Sequence, residues 1–591
     1  MNDPYELQQV EFQIRSSKEN GEYSLRLTKD EVSKFVLSKY KPKQKIQESF
    51  NFDTLDYNRQ TLFLIIGFGF GYVVEKIQEL VGDSACIYVI EPAPQLLVAQ
   101  ANLIDKDKFK KVVFLTGLEF QRLYEDFFYV IDENTLNNLK IFVHPHYEYF
   151  YFKYMKRITD IINTVKSDRV INLNTVNAIG TRYPENAINN VFLLNKAYDI
   201  NCHKDKYKDI PALVVSAGPS LDKNLEDIKD FNGLIFCVGR TIQSVQSIGK
   251  EVDFTCIVDY STKIYETFPE KKNVPIIAFS TVSKEVMNEW DAQIYLVDTS
   301  PAFKELVDIN LPPADSAGSV STLALNMATF MGCNPIIMVG QDLAYTDKKS
   351  YSSTCDVFNE DEFLKKVDPA KSTVYKLVEG YHPGEQVLST ELYNGFRRWI
   401  QRHIASNQHI TYINATEGGA KILGAMQMTM QEVVEEYGYI EKPPIEHKLL
   451  LDEPIDIEAR LNVTLETIEE KMKRIFEAVK LSNELIHEYK NYDEEKSPQK
   501  IKEYMEELDK ADKHIKEVKL ENLLRYVFMT LTTHLMTDGK YKEQVWKSDI
   551  ENAVHLAETN NKMYEALSIS LVDLKKKIQK RIEEERENGN G

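Results

Sequence analysis

The sequence predicts an α/β protein with two Rossmann-like parallel-sheet domains followed by an all-helical C-terminal domain. Three observations carry this: two separate series of short apolar runs alternating with helical periods, a polar helical stretch between them, and a change to Glu/Lys-rich amphipathic sequence after Glu441-Lys-Pro-Pro. At 591 residues the chain is too long for one core, and 43% hydrophobic residues supply about three or four folded units with material to bury.

The first series opens with an amphipathic segment and then TLFLII at 61–66, followed by Gly67, Gly69 and Gly71 and the helix-period run VVEKIQELV. Further strands are expected at ACIYVIEP, KVVFLTG and LKIFVHP, so residues 1–150 read as a Rossmann-like domain. Residues 151–205 are helical in pattern and polar at Asn174, Asn186, Asn189 and Asn190, which suits a connector. From 206 to 440 the alternation restarts with PALVVSAG, GLIFCVG, FTCIVDYS, VPIIAFS, AQIYLVD, NPIIMVGQD and HITYINAT, a second and larger doubly wound sheet. In the helical domain, 441–591, apolar residues recur at three-four spacing (Leu461, Leu465, Ile468, Met472, Ile475, Val479), leaving one stripe to face partners.

A net charge of −19 argues against duplex nucleic-acid binding, which rests on Lys and Arg releasing counterions. Six cysteines lie scattered without a C-x-x-C pair and read as reduced thiols. The start MNDPYELQQVEFQ has no basic and apolar leader, and no run of about 18 apolar residues follows, so a cytoplasmic protein without a membrane span is expected.

Two segments carry the chemistry. In VVSAGPSLDKN, 214–224, a strand runs into Gly218-Pro219-Ser220 and helical spacing resumes at Leu221, with Asp222 in the first turn. Such a turn offers backbone N–H groups and the positive end of a helix to a phosphate; the plainer reading is an ordinary βα turn. In AGSVSTLALNMATFMGCNPIIMVGQDLAY, 317–345, Gly318-Ser319-Val320-Ser321-Thr322 opens an apolar helix that ends at Gly332. A strand follows, and Gln341-Asp342 emerge at its carboxyl edge, where ligands bind in open α/β sheets.

GPSLDKN, GSVSTLALNMA, GCNPIIMVGQDLAYT and INATEGGAKILG, with FVLSKYKP at 35–42 and IIGFGFGY at 65–72, resemble the signature segments of the motility-associated-factor (Maf) flagellin glycosyltransferases. The likeness spans about residues 35–430, and the family's central domain is similar in turn to bacterial CMP-dependent sialyltransferases. The resemblance implies transfer of a nonulosonic acid (pseudaminic, legionaminic, N-acetylneuraminic or Kdo type) from its CMP donor to Ser or Thr of flagellin. It implies that Tyr345 and Tyr351, six residues apart after Gly340-Gln341-Asp342, donate to the departing phosphate, and that Gly239-Arg240-Thr241 and Asp259-Tyr260-Ser261 lie near the nucleoside. Gly239 departs from the Asn or Asp expected there. His382 in EGYHPGEQ stands where a sialyltransferase keeps its base; a solvated loop histidine is the alternative.

No metal or other cofactor is expected beyond the CMP-activated donor substrate. The lone D-x-D, Asp105-Lys106-Asp107, lies in a charged loop of the first domain, and His144-Pro-His146 is isolated. Gly67-Phe-Gly69-Phe-Gly71 with Glu91 beyond has the outline of a dinucleotide or methyl-donor fingerprint. Two other readings stay open: a Mg²⁺-dependent pterin pyrophosphokinase, with Asp222, Asp259 and Asp342 converging on the metal, and a non-catalytic flagellin chaperone. The helical domain is expected to supply the acceptor surface, and its charged faces equally permit homo-oligomerisation.

Overall fold

The computed structural model describes residues 10–17, 21–57, 61–82, 86–116, 120–132, 135–136, 138–180, 182–261, 273–299, 301–355, 374–517, 520, 523–524 and 549–589. Two compact units divide the chain, Met1–Thr175 with Gly539–Asn552, and Val176–Asp538 with Ala553–Gly591. Among the described residues no helix is long and apolar enough to cross a membrane.

The first unit begins with an antiparallel sheet where the sequence pattern predicts only an amphipathic segment: β1 (Glu11–Ser16), β2 (Tyr23–Lys29) and β3 (Val32–Leu37). Alternation in β2 is what builds it, because Leu25 and Leu27 are fully buried in the core while Arg26 between them and Thr28 beyond are only half-buried. The four parallel strands β4 (Leu62–Ile66), β5 (Cys86–Glu91), β6 (Val113–Thr116) and β7 (Leu139–Val143) follow in the order β6-β5-β4-β7. β4 pairs on both sides and is buried throughout, which is why its sequence is an unbroken apolar run. Helix Phe152–Ile179 continues from this sheet; the side chain of Asn174 in it lies outside the described residues.

The second unit is built on eight strands. β8 (Ala212–Val215), β9 (Leu234–Val238), β10 (Phe254–Ile257), β11 (Ile276–Phe279) and β12 (Ile294–Val297) run successively toward one edge. β13 (Ile336–Val339) pairs on the other side of β8, and two later strands extend that half. Before them comes an antiparallel hairpin, β14 (Tyr375–Glu379) and β15 (Gln386–Thr390), which the strand pattern did not announce. β16 (Tyr412–Asn414) and β17 (Met426–Gln427) complete the order β12-β11-β10-β9-β8-β13-β16-β17, parallel throughout. The strand order reverses between β8 and β13, and the crevice of a doubly wound sheet opens at that point.

The C-terminal region is helical: Ile457–Lys490, Ser497–Glu517 and Asp549–Gly589, with residues 525–548 of the region outside the described residues. Asp456 caps the first, its carboxylate accepting from the Ala459 amide at 2.8 Å. The apolar stripe expected to face partners faces the chain's own sheet layer instead. Leu461, Ile468 and Ile475 are fully buried in one continuous core with the larger sheet, and Leu465, Met472 and Val479 pack against it. Arg460 and Thr464 donate to the carbonyls of Val307 and Leu306 at 2.7 Å each, holding the helix to the layer beside β12.

Candidate active site

The turns leaving β8 and β13 are drawn together into a hydrogen-bonded seam. The Gly218 amide donates to the Gly340 carbonyl at 2.9 Å, the Ser216 hydroxyl to Gln341 Oε1 at 2.7 Å, and the Gln341 amide to Thr416 Oγ1 beyond β16 at 3.2 Å. Asp342 sits beneath: its carboxylate accepts from the Ser220 amide at 3.2 Å, from the Ser220 hydroxyl at 2.7 Å, and from Thr346. A side chain at Gly218 cannot fit, since its Cβ would lie 2.1 Å from Asp342 Oδ2 and 2.5 Å from the Gly340 carbonyl. Glycine is thus required by approach of the two turns to each other.

This arrangement differs from the expectation of free amides at Gly218 and Ser220, because both are engaged by acceptors of the β13 turn. Asp342 is buried, and desolvation raises its carboxyl above the ordinary aspartate range against the opposing hydrogen bonds from Thr346 and Ser220. Its geometry is that of a residue which shapes the Gly-Pro-Ser turn.

The segment 350–355 then straps back across the same edge. The Ser352 amide donates to the Ala217 carbonyl at 3.0 Å, the Ser353 amide to Asp222 at 2.9 Å, and the Ser352 hydroxyl to the same carboxylate. Cys355 Sγ reaches the Arg240 carbonyl at 3.7 Å, and the Arg240 guanidinium lies 4.9 Å above the Tyr351 ring. Asp222, Ser220, Arg240 and Tyr351 are therefore neighbours, although 131 residues separate Asp222 from Ser353. Thr241 is buried and spends its hydroxyl on the Val215 and Val238 carbonyls, fixing the turn that follows β9, where Gly239 also lies.

Tyr345 emerges on the opposite flank. Its amide donates to the Leu388 carbonyl of β15 at 2.7 Å, and its ring packs against Tyr375 and Tyr393 at 5.6 and 5.4 Å. His382 lies exposed in the β14–β15 turn. The neighbouring Tyr381 ties that turn to the end of β16, its amide donating to the Gly419 carbonyl at 2.8 Å and its hydroxyl to Asn414 and Met428 carbonyls.

Other expected residues share the carboxyl edge without joining the seam. Polar contacts of Gly318, Ser319, Ser321 and Thr322 stay within their own turn: the Thr322 hydroxyl donates to the Ser319 carbonyl at 2.6 Å, and the Ser319 and Ser321 hydroxyls meet at 3.1 Å. This turn begins helix Val320–Phe330, which runs back toward the start of β13. Asp259 accepts from the Ser261 amide at 2.7 Å in a local turn.

Sequence reasoning missed the devices that hold these loops. Asn186 donates to the carbonyls of Tyr260 and Thr281, and Asn190 to those of Ser280 and Val282, so helix Arg182–Asn190 fastens the loops after β10 and β11. Glu417 does the same past β16, its carboxylate accepting from Asn224 at 2.7 Å and from the Met430 amide at 2.9 Å. Buried asparagines in a helix otherwise apolar on that face were the available signal.

The glycine loop of the first unit is filled from within. A Cβ at Gly67 would lie 2.6 Å from the Tyr147 ring, at Gly69 2.1 Å from His144, and at Gly71 2.3 Å from Phe109. Glu91 accepts from the Phe68 amide at 3.0 Å, the Ala93 amide at 3.2 Å and the Tyr147 hydroxyl at 3.0 Å. The glycines that resemble a dinucleotide fingerprint here admit aromatic side chains where that fingerprint admits a pyrophosphate, and the acidic residue serves the loop itself.

A comparison with the curated proteins finds no match. Residues 185–348, which span the larger sheet from its fastening helix to the β13 turn, match the family of MptE-like 6-hydroxymethylpterin diphosphokinases, a domain family found in Maf proteins. Among solved structures the chain is similar to the MAf glycosyltransferase from Magnetospirillum magneticum AMB-1, with a TM-score of 0.53 at 12% sequence identity over 98% of this chain and 92% of that one. The likeness to Maf proteins carried by the sequence motifs thus extends to the fold: this chain has the architecture of a Maf glycosyltransferase, with an MptE-like segment in its larger sheet.

Proposed function

We propose that the chain is a glycosyltransferase that moves a nonulosonic acid from its CMP-activated donor to a Ser or Thr hydroxyl of flagellin, in the cytoplasm and in support of flagellum assembly. The observation that carries this reading is the convergence of the Gly218–Ser220 turn, the Asp342–Tyr345 turn and the strap bearing Tyr351 at the switch point of a doubly wound sheet. The donor lies against the Gly218, Pro219 and Ser220 turn, flanked by Gly239 and Thr241 on one side and by the Gly318–Thr322 turn on the other. Asp259 and Ser261 face the nucleoside.

In the transfer, the acceptor hydroxyl oxygen forms a bond to the anomeric carbon, and the bond from that carbon to the phosphate oxygen breaks with its electron pair leaving on CMP. The hydroxyl proton passes to a base, for which His382, exposed in the β14–β15 turn, is the candidate because a ring nitrogen of an imidazole can accept it. Tyr345 and Tyr351 donate to the departing phosphate, and no metal is required for that role.

The family match over residues 185–348 favours a second reading, a pterin diphosphokinase using Mg²⁺ and ATP. Against it, the three carboxylates that would hold the metal are engaged separately, Asp342 by Ser220 and Thr346, Asp222 by Ser352 and Ser353, and Asp259 by Ser261. Titrating the full chain with CMP, ATP, ADP and S-adenosylmethionine separates the readings. CMP alone is expected to bind; ATP binding that depends on Mg²⁺, with no response to CMP, would transfer the assignment to the kinase.

A further inference from the structure

Arg240 is a cation at the carboxyl edge of the sheet that no ion pair among the described residues explains. Among the described residues no carboxylate forms a salt bridge or a hydrogen bond with it, in a chain where acidic residues outnumber basic ones by 91 to 72. The nearby carboxylates are spoken for, Asp222 by the strap and Asp259 by the Ser261 amide. What Arg240 does have is a platform: its guanidinium stacks 4.9 Å above the Tyr351 ring, and its backbone carbonyl accepts from Cys355, so strap and turn fix it together. Stacking on a ring leaves the edge of the guanidinium, with its fork of N–H donors, turned to whatever lies beside the tyrosine.

We infer that Arg240 grips the carboxylate of the donor sugar, with the Tyr351 ring as the platform that sets its orientation; this rests on the CMP-donor reading. The chemistry of the substrate class supplies the link. In a 2-keto acid sugar the anomeric carbon carries both the carboxylate and the oxygen bonded to phosphorus. A phosphate held at the Tyr351 hydroxyl therefore brings the carboxylate alongside the same ring, where the guanidinium waits. Arg240 is then the residue that distinguishes an acidic sugar from a neutral hexose, since a neutral sugar leaves the fork without an acceptor.

Calorimetric titration of the full-length chain with two probes, CMP and CMP-N-acetylneuraminate, tests this in the wild type, Arg240→Gln and Arg240→Lys, with thermal melting to verify that each variant folds. The wild type should bind the CMP-acid more tightly than CMP. Arg240→Gln should weaken the CMP-acid by about tenfold or more, the scale of a lost charge-assisted hydrogen bond, while CMP affinity stays within about twofold. Lysine should recover part of the loss as a point charge without the fork. Equal losses for both probes would place Arg240 on the phosphate, and no loss for either would return it to packing; each overturns the inference while leaving the donor reading intact. A wild type that binds neither probe would remove the donor reading, and this inference with it.

Discussion

Two tyrosines and one glutamate show how single side chains divide the labour. If Tyr345 and Tyr351 stabilise the leaving phosphate, replacing either by Phe keeps its ring contacts with Tyr375 and Tyr393, or with Arg240, and removes only the hydroxyl. Turnover should fall about 10- to 1,000-fold with little change in donor affinity, as loss of one transition-state donor does; steady-state kinetics on flagellin reads both. Glu91 belongs to the other unit and to stability. Burial raises its carboxyl to about 7, opposed by hydrogen bonds from Phe68, Ala93 and Tyr147. Because the folded value lies above the unfolded one, the native state holds the extra proton between about pH 4.5 and 7, and stability falls as pH rises through that window. Melting curves of wild type and Glu91→Gln should therefore diverge in slope between pH 5 and pH 8, the variant lacking this component of the decline. Parallel curves would show that Glu91 does not titrate there.

At the scale of elements, the strap over 350–355 is held to the carboxyl edge chiefly by polar contacts. Asp222 receives the Ser352 hydroxyl and the Ser353 amide, and the Ser352 amide reaches Ala217. Asp222→Ala removes the acceptor of both bonds at one step, so amide hydrogen exchange across 350–355 should accelerate while β8 and β13 stay protected. Activity should drop with it, because Tyr351 rides on this segment; unchanged exchange would mean that the contacts to Ala217, Ser244 and Arg240 hold the strap without Asp222. Helix Arg182–Asn190 plays the corresponding part on the other half of the sheet, with Asn186 and Asn190 serving the loops after β10 and β11.

For the molecule as a whole, the C-terminal helices and the larger sheet share one apolar core. Leu571, Leu574, Ile578 and Ile582 join Leu461, Ile468 and Ile475 in the cluster that contains β10 to β12. Truncation near Glu441 would bare that layer, and at about 25 cal/mol per Å² of apolar surface even a few such residues amount to several kcal/mol. A chain ending there is expected to melt at a clearly lower temperature and to lose CMP affinity. Undiminished CMP binding in a monodisperse truncated chain would show that the sheet stands alone and that the helices serve the acceptor.

The periodicity of the sequence by itself determined the α/β class, both parallel sheets and the helical end. The central strands of both sheets are short runs buried on two faces, and burial on two faces requires unbroken apolar sequence such as LFLII, ALVV and IIMV. It also placed Gly218, Ser220 and Asp342 at strand ends, because in parallel sheets polar residues after an apolar run fall at the carboxyl edge, whereas Tyr345 and Tyr351 were pointed to only by the family resemblance. The β14–β15 hairpin escaped because VYKLVEGYHPGEQVLST puts Lys376 and Glu379 into the largely exposed β14 and gives β15 only Val387 and Leu388 as apolar residues. Only the tertiary structure decided which strand ends meet, since β8 pairs with β13 across more than a hundred residues of intervening chain and nothing local encodes that pairing. It decided too that the glycines at 67–71 make room for Tyr147, His144 and Phe109, and that the helical stripe turns inward, because a glycine pattern or an amphipathic face states that something packs there without stating what.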